Sequence, residues 1–211
     1  MLENDYKKKT LRVGAAPNPR ILYLFQFNLE LDAIVLDDMP LSYEEVDIVI
    51  NLLALLPKVR MLSLNRCKLD DIKAGLIFEA LAIAPSLVSL SIDSNEFSSD
   101  IVKSLAKSLE SSRTLKEISI ADNKLGDKGA LYLAKVIPYC YNLYKLVLNK
   151  NLIGDEGVKE LCKNLVLQQD LDTDSSDDEP EVKFGLKKSG SSYKLNEAKP
   201  PPFKVSFQEF S

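Results

Sequence analysis

The residues of this chain that could carry chemistry are two glycine pairs, three cysteines and a few arginines, in a sequence that has no histidine. Gly126/Gly129 and Gly154/Gly157 each open a helix-like stretch, where backbone amides are able to cradle a phosphate. They lack the GxxxxGK[ST] spacing that brings a lysine onto the phosphates, and they recur at one fixed phase, so they read as turns. Cys67, Cys140 and Cys162 are odd in number and have no CxxC spacing, which points to neither a disulfide framework nor a metal cluster. Cys67 has no cation pattern beside it to lower its pKa and reads as a structural thiol. Without histidine, the commonest general base and the commonest zinc ligand are both missing. No acid or lysine forms a pair that would be buried beside a pocket, as a perturbed catalytic group requires. The sequence therefore assigns no catalytic residue, no metal ligand and no cofactor, and it reads as a non-enzyme without a small-molecule substrate.

A repeat positions these residues. The segment from Leu143 to Leu165 recurs in steps of 28 residues, with earlier copies opening at Leu31, Val59, Leu87 and Leu115. A fixed period of this size marks a solenoid. Each copy carries apolar residues at shared phases: Leu31/Ile34/Leu36, Val59/Leu62/Leu64, Leu87/Leu90/Ile92, Leu115/Ile118/Ile120 and Leu143/Leu146/Leu148, followed by Leu41, Leu69, Phe97, Leu125 and Ile153. Two residues before that last apolar stand Asn95, Asn123 and Asn151, whose amides suit the turn where the chain leaves the strand. Met39 and Cys67 hold the slot in the first two copies. Cysteine is expected to substitute there, whereas methionine is expected to leave the first turn less regular. Helices follow each turn. Ser42 and Glu45 form a capping box, and Asp127 and Asp155 are candidate N-caps. The inward faces read as Val46/Val49/Leu53, Leu76/Ile77/Leu81, Leu105/Leu109, Leu133/Ile137 and Leu161/Leu165.

The stretches NKLGDKGALYLAKVI (123–137) and NLIGDEGVKELCKNL (151–165) resemble leucine-rich repeats of the ribonuclease-inhibitor-like subclass. The resemblance implies an α/β fold: a leucine-rich-repeat solenoid, or horseshoe, of five repeats, with a parallel β-sheet on the concave face and α-helices on the convex face. It also implies binding rather than catalysis, with partners that differ from member to member.

Around the repeats (31–170) lie three further regions. Residues 1–30 read as an N-terminal arm, solvated over 1–20, with a solenoid cap at 21–30. In that cap the repeat slot calls for a helix, while Ile21, Tyr23, Phe25, Phe27 and Leu29 alternate like a strand. Residues 171–182 form an acidic linker, with seven carboxylates from Asp170 to Glu181 and with Ser175 and Ser176 at acidophilic-kinase spacing. Residues 183–211 form an extended basic and aromatic tail of six lysines and two glutamates. A net charge of −4 and a pI near 5.1 speak against nucleic-acid binding. The absence of an apolar N-terminal region or a long apolar run implies a cytoplasmic chain that is neither secreted nor membrane-inserted.

Period-two alternation places three columns on the concave face. They are Ala33/Met61/Ser89/Glu117/Lys145, Val35/Ser63/Ser91/Ser119/Val147 and Asp37/Asn65/Asp93/Ala121/Asn149. Of these, Met61, Ser63, Asn65, Ser91, Asp93, Glu117, Ser119, Lys145, Val147 and Asn149 are candidate partner contacts. In the tail, Phe203, Val205, Phe207 and Phe210 suit an extended peptide that adds to a sheet edge, either the solenoid's own uncapped edge or a partner's. The function expected is a non-enzymatic protein–protein interaction scaffold within a larger, cytoskeletal or ciliary assembly. Lys204-Val205-Ser206-Phe207 also resembles the docking motif for type 1 protein phosphatases. An arginine at the rim, Arg66, and the acidic linker leave open a Ran-type GTPase activator.

Overall fold

The computed structural model describes residues 2–12, 14, 16–27, 31–172 and 204–206. The chain order is α1 (Leu2–Arg12), α2 (Pro19–Leu24), a 3-10 turn (Phe25–Phe27), β1 (Ala33–Val35), α3 (Tyr43–Leu55), β2 (Met61–Ser63), α4 (Asp71–Ala80) and β3 (Ser89–Ser91). It continues through α5 (Val102–Ser111), β4 (Glu117–Ser119), α6 (Gly126–Val136), a 3-10 turn (Ile137–Tyr139), β5 (Lys145–Val147), α7 (Asp155–Asp172) and β6 (Lys204–Ser206). The strands form one parallel sheet in the order β1-β2-β3-β4-β5-β6. From β1 to β5 each strand is joined to the next by a helical crossover, as parallel neighbours require. The register pairs Ile34 with Leu62, Leu62 with Leu90, Leu90 with Ile118 and Ile118 with Leu146, each one period apart.

The core lies between this sheet and the helix layer. The apolar phases of the repeat are buried, from Leu36, Leu64 and Ile92 on the strands to Leu69, Phe97 and Leu125 beyond the turns. The expected inward faces hold with one exception. Leu76 is exposed, and Phe78 takes the inward place, making an edge-to-face contact with Phe97 at 5.6 Å between ring centroids. The capping box on α3 is present, with Ser42 accepting from Glu45 N and Glu45 accepting from Ser42 N. Asp70 caps α4 through Lys73 N.

Asp127 does not cap its own helix. Its Oδ1 accepts from Gly154 N at 2.7 Å and from Gly157 N at 3.2 Å, so it serves the start of α7 in the following repeat. This explains the glycine pair. A Cβ on Gly157 would stand 2.7 Å from Asp127 Oδ1, 2.7 Å from Ile153 Cγ2 and 2.9 Å from Ala130 Cβ. Overpacking of that kind costs about 1–3 kcal/mol. Gly157→Ala is accordingly expected to lose about 2 kcal/mol of stability in urea denaturation, with α6 and α7 forced apart. The amides that a bound phosphate would need are already taken by a carboxylate.

The turns after the strands share one conformation. Asp38, Arg66, Ser94, Asp122 and Lys150 all have φ between 53° and 62°, and none is glycine. Left-handed backbone is unfavourable for such residues, so surrounding bonds must hold it. The asparagines supply many of them. Nδ2 of Asn95 donates to the carbonyls of Leu64, Ile92 and Asp93, while its Oδ1 accepts from Cys67 N and Leu69 N. Asn123 and Asn151 repeat the pattern. Cys67 imitates it, its Sγ donating to Leu36 O and Asn65 O at 3.3 and 3.4 Å. The first turn is not less regular than the others, contrary to expectation. Asp38 has the common φ, and the buried Met39 sulfur receives Asn18 Nδ2 from the N-terminal region.

That N-terminal region is not a solvated arm. Tyr6 on α1 is fully buried, and its hydroxyl donates to Glu45 Oε1 at 3.2 Å while accepting from Asn18 N at 2.8 Å. At α2 the repeat slot prevails over the strand-like alternation. Asn18 accepts from Arg20 N as N-cap, Pro19 occupies the first turn, and Ile21 and Leu24 point inward three residues apart. Arg20 then donates to the carbonyls of Asp37 and Val35, closing the outer edge of β1. Residues 28–30, including Leu29, lie outside the described set.

Candidate functional site

The register sets Ala33, Met61, Ser89, Glu117, Lys145 and Lys204 in one concave row, and Val35, Ser63, Ser91, Ser119, Val147 and Ser206 in the next. Val35, Met61, Lys145, Lys204 and Ser206 are exposed, whereas Ser63 is buried. The others are half-buried. A chain of hydrogen bonds links the floor across repeats. Asp37 Oδ1 accepts from Ser63 Oγ and Asn65 N, Asn65 Oδ1 from Ser91 Oγ and Asp93 N, and Asp93 Oδ1 from Ser119 Oγ and Ala121 N. Ala121 has no side-chain acceptor and the chain stops there. Further along, Asn149 Oδ1 is buried and has no hydrogen-bond partner among the described residues. Period-two alternation located these rows correctly, but it did not foresee that the serines and acids would be bound to one another.

Burial raises the pKa of Asp93 above the usual carboxylate range, against the lowering effect of Ser119 and Ala121 N–H. Asn65 accepts the same two kinds of bond one repeat earlier without a charge. Asp93→Asn is therefore expected to keep the geometry and to be the more stable form at neutral pH. The sign follows from linkage: a folded pKa above the unfolded one makes the native protein lose stability as pH rises between the two. The advantage of the asparagine should thus grow as pH rises above the ordinary carboxylate pKa of about 4, persist at neutral pH and vanish in acid, as measured by urea midpoints. At Glu117 burial raises the pKa too, but the Tyr144 hydroxyl and the Lys145 ammonium outweigh it and the carboxylate is favoured.

At the C-terminal edge, Lys204–Ser206 of the tail adds to β5 as a sixth parallel strand. Lys204 N donates to Tyr144 O at 2.7 Å, and Leu148 N donates to Ser206 O at 3.0 Å. Val205 pairs with Leu146 and packs against the core. Of the two edges open to the tail, the structure occupies the chain's own. Phe203, Phe207, Phe210, Ser175 and Ser176 lie outside the described residues, as do 173–203 of the linker and tail.

Arg66 is not a free rim arginine. Its guanidinium makes two bonds to the carboxylate of Asp38 in the preceding repeat. Cys67 and Cys140 are structural rather than reactive: burial pushes Cys67 up to about 11 and Cys140 up to about 12. A disulfide-exchange reagent at pH 8 is expected to titrate one thiol, the half-buried Cys162, in the native protein and three after denaturation. Rapid labelling of all three native thiols would contradict this assignment. Among the described residues no group of histidine, cysteine or acid side chains is placed to hold a metal, and no helix is long and apolar enough to cross a membrane.

Parallel strands one period apart, an asparagine ladder behind the turns and helices along the outer layer define a leucine-rich-repeat solenoid. A family model described as "Leucine Rich repeat" matches two of these repeats, at residues 111–134 and 139–162. The chain's fold is that of the tropomodulin C-terminal domain of Caenorhabditis elegans, with a TM-score of 0.59 at 17% identity over 72% of this chain and 92% of that one. The leiomodin-1 domain titled actin-binding site 2 is alike, with a TM-score of 0.60 at 18% identity over 74% of this chain and 93% of that one. No curated protein matches the chain in sequence.

Proposed function

We propose that this chain is a non-enzymatic protein–protein interaction scaffold of a cytoskeletal assembly in the cytoplasm. The observation that carries this reading is the concave floor, where cross-repeat bonds fix the polar rows in place before any partner arrives. Preorganisation of that kind reduces the ordering cost of binding. Met61, Glu117 and Lys145 supply the contacts, with Ser91, Ser119, Val147 and Asn149 forming the bed beneath them. Support for the cytoskeletal setting is the fold shared with the tropomodulin and leiomodin domains, the second of which is titled an actin-binding site. Nothing in the comparisons favours the phosphatase-docking or GTPase-activator readings.

The test is cross-linking mass spectrometry on native material together with actin co-sedimentation, comparing the full chain with Met61→Glu/Glu117→Lys/Lys145→Glu. The variant is expected to fold normally and to lose its partner cross-links at least tenfold. Partner capture that is unchanged in the variant would place binding elsewhere and defeat the reading.

A further inference from the structure

Between α3 and β5 the loops that join each helix to the next strand carry charge of one sign, whereas the segment before β1 places the exposed Asp32 at the phase of Arg60 and Lys116. The loops span 56–60, 81–88, 112–116 and 140–144, and they contain Lys58, Arg60, Arg113 and Lys116 but no carboxylate. The loops that leave the strands are mixed by comparison, with Asp37, Asp38, Asp93, Glu96 and Asp122 beside Arg66, Lys68, Lys124 and Lys150, so a stretch of rim with cations alone stands out in a chain with a net charge of −4. Lys58, Arg60 and Arg113 are exposed, and Lys116 is half-exposed. The nearest acids on the adjoining helix ends, Glu79 and Glu110, are matched by Lys107 and Lys135 at the equivalent ends.

The same rim bears an apolar row. Leu55, Ile83 and Tyr139 stand at one repeat phase, 55%, 58% and 59% exposed, and Tyr141 beside them is 63% exposed. Only Ser111 interrupts the phase in the third repeat. Leucine and isoleucine so exposed at the tips of successive repeats do not serve the core, whose own residues at adjacent positions, Leu56 and Ala84, are buried. Strands are spaced about 4.8 Å apart and packed helices about 8–10 Å apart, so the row advances by a step between these values. That range contains the spacing of like-facing side chains along a peptide, about 5–7 Å.

We infer that this rim is a docking surface for an acidic polypeptide segment that presents apolar side chains at regular intervals, distinct from both the concave floor and the β6 edge. Charge complementarity selects the acid, and the aliphatic row selects a polypeptide over a phosphate backbone. The chain's own Asp172–Glu181 supplies carboxylates but no large apolar side chain, so it satisfies only half of the surface.

The experiment is selection of a displayed random-peptide library on the full chain. Peptides rich in aspartate and glutamate with leucine, isoleucine or phenylalanine are expected to emerge. They should lose at least tenfold in affinity to Arg60→Glu/Arg113→Glu/Lys116→Glu and to Leu55→Ser/Ile83→Ser/Tyr139→Ser. Both variants change exposed or half-exposed side chains and are expected to keep the wild-type melting temperature. Affinity should also fall as salt rises, because exposed charges are screened. Selected peptides of another composition, or peptides indifferent to both variants, would overturn the inference. So would tighter rim-dependent binding of phosphatidylserine vesicles or of a short DNA duplex, which would assign the rim to a membrane or to nucleic acid. Peptide binding that appears only after the carboxylates of 172–181 are changed to amides would overturn it too, by assigning the rim to the chain itself.

Discussion

Asn123→Ala is expected to cost about 3 kcal/mol of folding stability, although the residue contacts no candidate partner surface. The residue is 4% exposed, and its amide ties its own repeat to the one before. Its Nδ2 donates to Ile92 O in the repeat before and to Ile120 O and Ala121 O in its own turn. Its Oδ1 accepts from Asn95 N at 3.1 Å. Three of these four losses are partly covered. Ile92 O also receives Asn95 Nδ2, Ile120 O receives Asn151 Nδ2, and Ala121 O receives Ser94 N. The Asn95 N–H has no such reserve, and an orphaned buried donor alone costs about 1–3 kcal/mol. Asn123→Cys provides a control taken from the protein itself, since a thiol already does this work at Cys67. The expected order of urea midpoints, highest first, is Asn123, then Asn123→Cys, then Asn123→Ala. An alanine variant within about 1 kcal/mol of wild type would show that the ladder is decoration.

The 28-residue period made most of the fold legible, because each buried phase is apolar in every copy and needs no tertiary information. Its failures lie where one copy serves another. Asp127 looked like an N-cap for the helix it precedes, but repeats stack closely enough for it to reach Gly154 and Gly157, and only coordinates show which helix start it meets. Residues 21–27 gave a misleading alternation because the solenoid needs only Ile21 and Leu24 inward, leaving Tyr23 exposed. Tyr6 and Thr10 are buried four residues apart on one face of α1, but lysines surround them and the face is too narrow to register as a periodic stripe. The concave rows were readable from alternation, whereas the tying of serines to acids across the rows was not. The basic rim was invisible for a similar reason: its four cations come from two separate loops and sum to a patch only when repeats are stacked.

Val205→Asp is expected to detach the sixth strand and so to test whether the tail closes the solenoid. In the sheet Val205 continues the buried row of Ile34, Leu62, Leu90, Ile118 and Leu146 and is itself half-buried. A charged aspartate there would be set against Leu146 and the end of the core, which isolated burial makes unfavourable by several kcal/mol. The backbone bonds of this pairing, Lys204 N to Tyr144 O and Leu148 N to Ser206 O among them, each contribute only about 1 kcal/mol net against that cost. Leu148 N–H is the readout, since it is buried and its acceptor is on β6. Hydrogen exchange at Leu148 should accelerate at least tenfold, while exchange at Leu64 and Ile92, which donate within the repeats, stays unchanged. A bare parallel edge also invites pairing between chains, so the variant should self-associate as its concentration rises, in light scattering. Conservative Val205→Ile should do neither. Unchanged Leu148 exchange in the aspartate variant would mean that the tail leaves this edge in solution, and that the last repeat keeps its core covered by other means.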